Sequence, residues 1–210
     1  EDMVRHLSQI GCQGPVREVD WSSFMENVSQ PDLSRLPIMT YFPGDGGPYI
    51  TSGVVVSRFE DKINACVHRL MVLGKDRLAA RLVPGRHTHQ LYEAALAKGK
   101  EVAVAVAIGV DPLVLMAAST RVPPEMEFCY AAALRGSHVE LIALDNGVLV
   151  PHAQIVLEGY ITTERAPEGP FVDITGTLDL VRQEPVIRLT RMMMCNEPIY
   201  HGLLPAGGEH

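Results

Sequence analysis

Apolar residues along most of the chain come in short runs separated by turn-forming residues, a pattern typical of β-strands. Residues 37–42 and 50–59 flank a turn at 43–48 that is rich in proline and glycine, and together they predict a hairpin. Further strands are predicted over residues 63–72, 77–83, 101–109, 138–144, 153–163 and 186–194. Because turns join most of these strands, the pattern predicts an antiparallel sheet or barrel.

Helical periodicity is found in two parts of the chain. Residues 1–35 predict two short helical stretches, one of them over 21–28. Three helices are predicted in the middle of the chain, over residues 87–98, 111–119 and 123–134. Helices gathered between runs of strands indicate an α+β fold. We therefore predict an N-terminal helical segment over residues 1–35 and one sheet domain over residues 36–210.

Composition and charge exclude several classes of protein. Of the 210 residues, 47% are hydrophobic and 20% are charged, which excludes a disordered chain. The net charge of −7 argues against a nucleic-acid surface, and apolar runs such as residues 102–110 are too short to span a membrane. No glycine-rich nucleotide signature follows a strand. We therefore expect a soluble protein whose partners are small molecules.

The cysteines and the first residue bear on the compartment and on completeness. Cys12, Cys66, Cys129 and Cys195 lie far apart, without the spacing of zinc ligands. Scattered thiols of this kind suggest a reducing compartment, and we expect the cytoplasm. The chain begins at Glu1 with no initiator methionine, so we expect a fragment of a longer protein.

Two places along the chain could carry acid–base or carboxylate-binding chemistry. Glu168 and Asp173 lie five residues apart in a Pro/Gly-rich loop beside Phe171, where a partly desolvated carboxyl could move a proton. Spacing alone favours the simpler interpretation, a solvated connecting loop. Arg69 is flanked by apolar residues in a predicted strand, so it could bind a substrate carboxylate or be an edge-strand arginine. The sequence favours neither of these two alternatives.

A third set of residues has the donor atoms of a hard divalent-cation site. Asn64, His87 and Glu127 supply an amide oxygen, an imidazole nitrogen and a carboxylate oxygen, which suit Mg²⁺ or Mn²⁺. Their spacing does not reveal such a site. His87 at a helix start and Glu127 in a first helical turn are more often structural.

Five separated sequence motifs resemble motifs of the UbiD family, the reversible decarboxylases that use prenylated FMN, and they occur in the same order as in that family. The motifs cover residues 43–51, 83–87, 104–112, 155–160 and 166–171. Several motifs in one order are more specific than any single motif. The resemblance extends from about residue 36 to residue 205.

The resemblance implies a split antiparallel β-barrel of the flavin-reductase type with flanking helices. It also implies decarboxylation of an α,β-unsaturated or aromatic carboxylic acid. By this resemblance Arg69 would orient the substrate carboxylate, Glu168 would modulate its charge, and Asp173 would return a proton to the carbon that loses CO₂. The divalent-cation ligands of the family fall on Asn64, His87 and Glu127, and the further cofactor-binding residues on Thr51, Arg86 and Ser119.

The resemblance also implies cofactors and partners. The cofactors would be prenylated FMN, or FMN, together with Mn²⁺ or Mg²⁺ and K⁺ as a further ion. A flavin prenyltransferase would supply the flavin, and the full-length enzyme would be a homo-oligomer. Two alternatives stay open: an FMN-binding oxidoreductase on the same barrel, and an inactive fragment that binds flavin or phosphate.

Three features depart from the family pattern. Val172 stands where the family usually has glycine, so the loop that carries Asp173 could be set differently. Asn64 and Arg69 are an odd number of residues apart, so both reach one site only if a bulge or a strand end lies at Asn64. Family members are also longer, with an N-terminal extension and a C-terminal domain. This chain therefore resembles the cofactor-binding middle of such an enzyme.

Overall fold

Residues 10–207 are described by the computed structural model of this chain. Within them the helices are α1 (His87–Leu96), α2 (Pro112–Ser119) and α3 (Glu127–Arg135). The strands are β1 (Val16–Glu18), β2 (Asn27–Ser29), β3 (Tyr49–Ile50), β4 (Val54–Phe59), β5 (Lys62–Val67), β6 (Leu70–Val72), β7 (Arg77–Ala80), β8 (Val102–Ile108), β9 (Val139–Ala143), β10 (Leu149–Pro151), β11 (Ile155–Glu168), β12 (Phe171–Val172), β13 (Leu178–Asp179) and β14 (Arg182–Met194). The predicted α+β class and the three central helices are confirmed.

One antiparallel sheet dominates the fold. Its strand order is β3-β6-β7-β14-β11-β8-β4-β5, and β2 pairs with one end of β14. The long strands β11 and β14 form its centre, and their register shifts at two points along β11. The outer strands β3 and β5 do not pair with each other in the part of the chain that the structure describes. Strand pairing therefore confirms the predicted antiparallel sheet and does not close it into a barrel.

Apolar side chains from both faces of this sheet form two clusters, which explains why β4 and β8 are almost continuously hydrophobic. Val54 and Val56 of β4 pack in a cluster with α2 and α3, whereas the intervening Val55 packs in a second cluster with α1. A strand that is covered on both faces needs apolar residues at every position. The helices therefore cover the sheet on both sides.

Local signals set the helix ends. The Asp111 carboxylate accepts a hydrogen bond from the Leu113 amide at 2.8 Å, and Pro112 occupies the first turn of α2. Gly136, at φ +70°, ends α3 in the left-handed conformation that glycine adopts readily. No helix in residues 10–207 is long and apolar enough to cross a lipid bilayer.

The helix predicted over residues 21–28 is wrong. Only a 3₁₀ turn, Ser23–Glu26, is present, and the following strand β2 pairs with β14. Similarly, β1 pairs in parallel with β9 in a small sheet completed by β10. Long-range pairing therefore replaces the weak helical preference of this segment, which is joined to the main fold. The other helical stretch predicted near the N-terminus falls partly on residues 1–9, which lie outside the described residues.

The hairpin predicted between residues 37–42 and 50–59 is reduced to one antiparallel bridge, between Met39 and Tyr49. The Asp45 carboxylate accepts hydrogen bonds from the amides of Phe42 and Val172, each at 2.9 Å, and the Gly46 amide donates to the Pro170 carbonyl at 2.7 Å. These bonds hold the turn at 43–48 against a distant loop. As a result β3 pairs with β6, and β4 pairs with β5 and β8.

Candidate active site

Arg69 and Glu168 form the best-defined ion pair in the described part of the chain. Arg69 lies between β5 and β6, where the strand predicted over residues 63–72 is interrupted, and Glu168 ends β11. Arg69 Nε and Nη2 donate to the two carboxylate oxygens of Glu168, both at 2.9 Å. Glu168 is fully buried, and the Tyr49 hydroxyl also donates to its Oε1 at 3.1 Å. This bidentate geometry fixes the plane of the guanidinium.

Aromatic rings shield this pair from water. The Arg69 guanidinium lies 4.8 Å from the centre of the buried Phe171 ring, which itself lies 4.5 Å from the Tyr49 ring. Burial lowers the pKa of Arg69, but the bonds to Glu168 and Asp179 outweigh burial and raise that pKa overall. Burial, and then the nearby Glu168 charge, raise the pKa of the Tyr49 hydroxyl. Arg69 is therefore a permanent cation in a mostly apolar setting.

Asp173 does not contact Arg69. Its Oδ1 accepts hydrogen bonds from the amide and the hydroxyl of Thr175, at 2.9 and 2.5 Å, and from the Thr177 hydroxyl at 3.2 Å. The Thr175 side-chain bond is the main reason that the pKa of Asp173 is lowered. The second carboxylate on Arg69 is instead Asp179, at 2.9 Å from Nη2. The structure thus brings together two of the three predicted catalytic residues.

The cofactor-binding and metal-binding residues predicted from the sequence gather, with one exception, around a cleft of about 650 Å³. The residues that line it include Asn64, Arg86, His87, Ser119 and Glu127. Thr51 is the exception, because it is buried elsewhere and bonds to the Tyr41 hydroxyl at 2.8 Å. The grouping could not be read from spacing, because these residues come from β5, α1, α2 and α3.

Three donor side chains in this cleft suit a divalent cation. Asn64 Nδ2 donates to the Thr88 hydroxyl at 2.9 Å, and its Oδ1 lies 3.2 Å from His87 Nδ1. Glu127 is buried, and burial raises its pKa to about 7. No group of three or more His, Cys, Asp or Glu side chains in residues 10–207 is arranged so that it could hold a metal ion by itself. The set is therefore a mixed amide, imidazole and carboxylate site, which fits the donors that Mg²⁺ and Mn²⁺ accept.

Asn64 itself lies within β5, paired with Ser57 of β4. The bulge or strand end predicted at Asn64 is therefore misplaced, because the break falls at residues 68–69. His68 fills that break: its Nε2 lies 2.9 Å from Cys66 Sγ, and its Nδ1 lies 3.1 Å from the Arg81 carbonyl. Cys66 also lines the cleft. Nothing in the sequence pattern singled out this Cys66–His68 contact.

Comparison with known proteins finds a similarity that extends over most of the chain. Residues 17–208 match the family model described as UbiD, 3-octaprenyl-4-hydroxybenzoate carboxy-lyase Rift-related domain. The anhydromevalonate phosphate decarboxylase of Methanosarcina mazei is 55% identical over 212 residues, covering 100% of this chain and 50% of that protein. The protein of the same name from Archaeoglobus fulgidus is 45% identical over 210 residues, covering 99% and 49%. The chain thus spans about half the length of the curated relatives it matches.

Solved structures show the same similarity. The UbiD-class enzyme HmfF from Pelotomaculum thermopropionicum in complex with FMN has a TM-score of 0.90 and 34% identity, covering 97% of this chain and 48% of that one. An evolved dimeric form of HmfF in complex with prFMN has a TM-score of 0.86 and 35% identity, covering 92% and 48%. The closed form of vanillic acid decarboxylase from Sedimentibacter hydroxybenzoicus has a TM-score of 0.89 and 26% identity, covering 97% and 46%.

Proposed function

The chain belongs to the UbiD family, and from this premise we propose that it is the cofactor-binding part of a decarboxylase that uses prenylated FMN. The observation that carries the proposal is the buried bidentate pair of Arg69 and Glu168, which presents a fixed guanidinium among aromatic rings. Two similar structures contain FMN or prFMN, which supports a flavin in the cleft of this chain. When bound, the cofactor supplies an electron sink for removal of CO₂ without net oxidation.

Asn64, His87 and Glu127 are proposed to hold a divalent cation that neutralises the cofactor phosphate. Because Asn64 Nδ2 donates to Thr88, its Oδ1 is the atom that faces His87 Nδ1, at 3.2 Å, and these two atoms would be the cation ligands. A buried carboxylate such as Glu127 is stabilised by a cation beside it. Mn²⁺ or Mg²⁺ suits this donor set, with K⁺ as a further ion. Arg86 and Ser119 line the same cleft and would contact the cofactor.

The roles of the other side chains follow from their placement. Arg69 is proposed to bind the substrate carboxylate, and Glu168 to hold the guanidinium in one plane while balancing its charge. Phe171 and Tyr49 would exclude water from this ion pair. Asp173 is proposed to return a proton to the carbon that loses CO₂. Because its carboxylate is bonded to Thr175, this role requires Asp173 to leave that turn first.

The proposed substrate is an α,β-unsaturated acid, and among such acids we propose anhydromevalonate phosphate. The support is the name of the relatives, which are 55% and 45% identical to this chain. An aromatic acid is the alternative, because vanillic acid decarboxylase has a similar fold. The part of the protein outside this chain would help to choose between them.

The remaining features are proposed for the protein as a whole. The flavin-binding domain would be a split barrel over residues 36–210, onto which β1 and β2 pair, and the C-terminal domain of the family would lie outside this chain. The protein would be a homo-oligomer that receives its cofactor from a flavin prenyltransferase. These proposals rest on family membership and on coverage of about half of the relatives.

The whole protein, co-expressed with a flavin prenyltransferase, tests the proposal. We expect mass spectrometry to identify prenylated FMN in the purified protein, and the loaded protein to release CO₂ from anhydromevalonate phosphate. Arg69→Lys should keep the cofactor and lose most turnover, because lysine cannot make the bidentate contact. A protein that binds no flavin would contradict the proposal. A protein that oxidises a nicotinamide and releases no CO₂ would instead support the oxidoreductase alternative.

A further inference from the structure

Asp179 bridges two arginines at the candidate active site. Its Oδ2 lies 2.9 Å from Arg69 Nη2, and its Oδ1 lies 2.6 Å from Arg182 Nη1. Arg182 begins β14 and is paired in register with Glu168, the other partner of Arg69. Two guanidinium groups therefore face one carboxylate, each bound to a different oxygen of it. This is the arrangement by which a protein recognises a carboxylate ligand.

The charges of these four side chains balance one another. Arg69 and Arg182 contribute two positive charges, and Glu168 and Asp179 two negative charges. Burial raises the pKa of Asp179, but the bonds from Arg182, the Leu180 amide and Arg69 outweigh burial and lower that pKa to about 2. A substrate carboxylate added to all four would leave a net negative charge beside the fully buried Glu168, which is unfavourable.

Of the two acids, Asp179 is the one that can leave. Glu168 is fully buried and held by Arg69 and Tyr49, whereas the side chain of Asp179 is 24% exposed. Asp179 lies on β13, which pairs with β12 through only two residue pairs. The neighbouring Leu178 is 53% exposed, so little buried apolar surface holds this strand in place.

We propose that Asp179 occupies the binding position of the substrate carboxylate, between Arg69 and Arg182. The incoming acid displaces Asp179 from this position. This inference rests on the proposed function, in which Arg69 binds the substrate carboxylate, and it adds Arg182 as a second binding residue. Displacement keeps the site neutral, because one carboxylate replaces another. Asp179 therefore keeps the two arginines in position before substrate arrives and lowers the affinity of the site for monocarboxylates.

Calorimetric binding of crotonate, a small α,β-unsaturated acid, to the whole protein loaded with FMN tests this inference. Asp179→Asn removes the competing charge and keeps the shape, so we expect crotonate to bind about tenfold tighter. Asp179→Glu keeps the charge and should bind no tighter than the wild type. Arg182→Gln should bind several-fold more weakly. The matched control is Asp145→Asn, which removes a surface partner of Arg191 and should change nothing.

Unchanged or weaker crotonate binding by a folded Asp179→Asn protein would overturn the inference. Tighter binding by both Asp179→Asn and Asp179→Glu would also overturn it, because loosening of the loop and not loss of charge would then be the cause. Melting temperature and retained FMN are measured on the same samples. Loss of FMN from the wild type would count against the proposed function. The crotonate affinities test only the roles proposed for Asp179 and Arg182.

Discussion

Arg69 and Glu168 are buried together, so loss of Arg69 leaves a buried carboxylate without a cation, and loss of Glu168 leaves the guanidinium with Asp179 alone. Glu168 is fully buried and the side chain of Arg69 is 14% exposed. A buried ion pair contributes little net stability compared with apolar side chains of the same size, because both charges lose hydration. Its presence here is therefore better explained by chemistry than by folding. The same reasoning predicts a large effect when the pair is broken.

Glu168→Gln should lower the free energy of unfolding by about 3 kcal/mol, because Arg69 would lose the buried, bidentate one of its two carboxylate partners. Turnover should fall as well, since the guanidinium loses its fixed plane. The matched control is Glu164→Gln on the same strand, whose partner Arg77 is exposed, with an expected loss below about 0.5 kcal/mol. Chemical denaturation compares the two. Equal losses would contradict the argument from burial.

His87→Ala should weaken flavin retention in the presence of Mn²⁺, because one of three proposed cation donors is lost. Flavin absorbance after gel filtration, with and without a chelator, measures the effect. His89→Ala is the control, since His89 lies two residues along α1 and lines a different cavity. Flavin retention in His87→Ala that equals the wild type under both conditions would exclude the proposed cation site.

Asp173→Asn should keep flavin and substrate binding, yet lose turnover and the incorporation of solvent deuterium into product, if Asp173 delivers the proton. Thr175→Val removes one hydrogen bond to Asp173 and should retain activity per folded molecule. Turnover is measured together with melting temperature. A folded Asp173→Asn protein with full activity would show that Asp173 has only the structural role of bonding its own turn.

At the level of elements, the sequence predicts best where local pattern and tertiary contacts agree. The apolar run of β8 is recognisable because both faces of that strand are covered, and α2 because Asp111 and Pro112 mark its start. The helix at residues 21–28 fails because β2 pairs with a strand more than 160 residues away. Local preference carries no information about such a partner.

In the candidate site, too, the sequence predicts some residues, whereas others depend on tertiary contacts. The family resemblance points to Arg69 and Glu168, but the second partner of Arg69 depends on how β12 and β13 align. That register places Phe171 opposite Asp179, and the turn from Asp173 to Gly176 sets it. The geometry of that turn arises from hydrogen bonds that the sequence does not specify uniquely. Asp179 could therefore be found only in the structure.

The turn at residues 43–48 should tolerate no side chain at Gly46. A Cβ there would lie 2.2 Å from the Gly169 carbonyl oxygen, so Gly46→Ala must push the turn away from the loop that follows β11. We expect a loss of about 1–3 kcal/mol in unfolding free energy. Gly74→Ala is the control, because a Cβ there meets nothing within 4 Å. Similar melting temperatures for the two variants would show that the turn can shift with little loss of stability.

At the scale of the whole molecule, apolar side chains near the C-terminal end of the described chain are exposed. Ile199 is 73% exposed and Leu204 is 53% exposed. Since the chain spans about half of its relatives, we expect this surface to be covered in the whole protein. The isolated chain should then self-associate with increasing concentration and bind an apolar dye.

Sedimentation velocity checks this expectation. Replacing Ile199 and Leu204 together by lysine should shift the isolated chain toward monomer, because the apolar area is interrupted by charge. Met116→Lys, on the exposed side of α2, is the control and should leave the association unchanged. A concentration-independent monomer that binds no dye would contradict the expected docking surface.

The position of β14 in the sheet also determines how the protein can be made. It lies between β7 and β11, so strand pairing joins β3, β6 and β7 to β11, β8, β4 and β5 only through β14. Its far end, Met192–Met194, also receives β2 from the beginning of the chain. During synthesis the nascent chain therefore has two incomplete parts of the sheet, each with an unpaired edge strand, until residue 194 has left the ribosomal exit tunnel. We therefore expect the two halves of the sheet to be joined only after β14 has been synthesised.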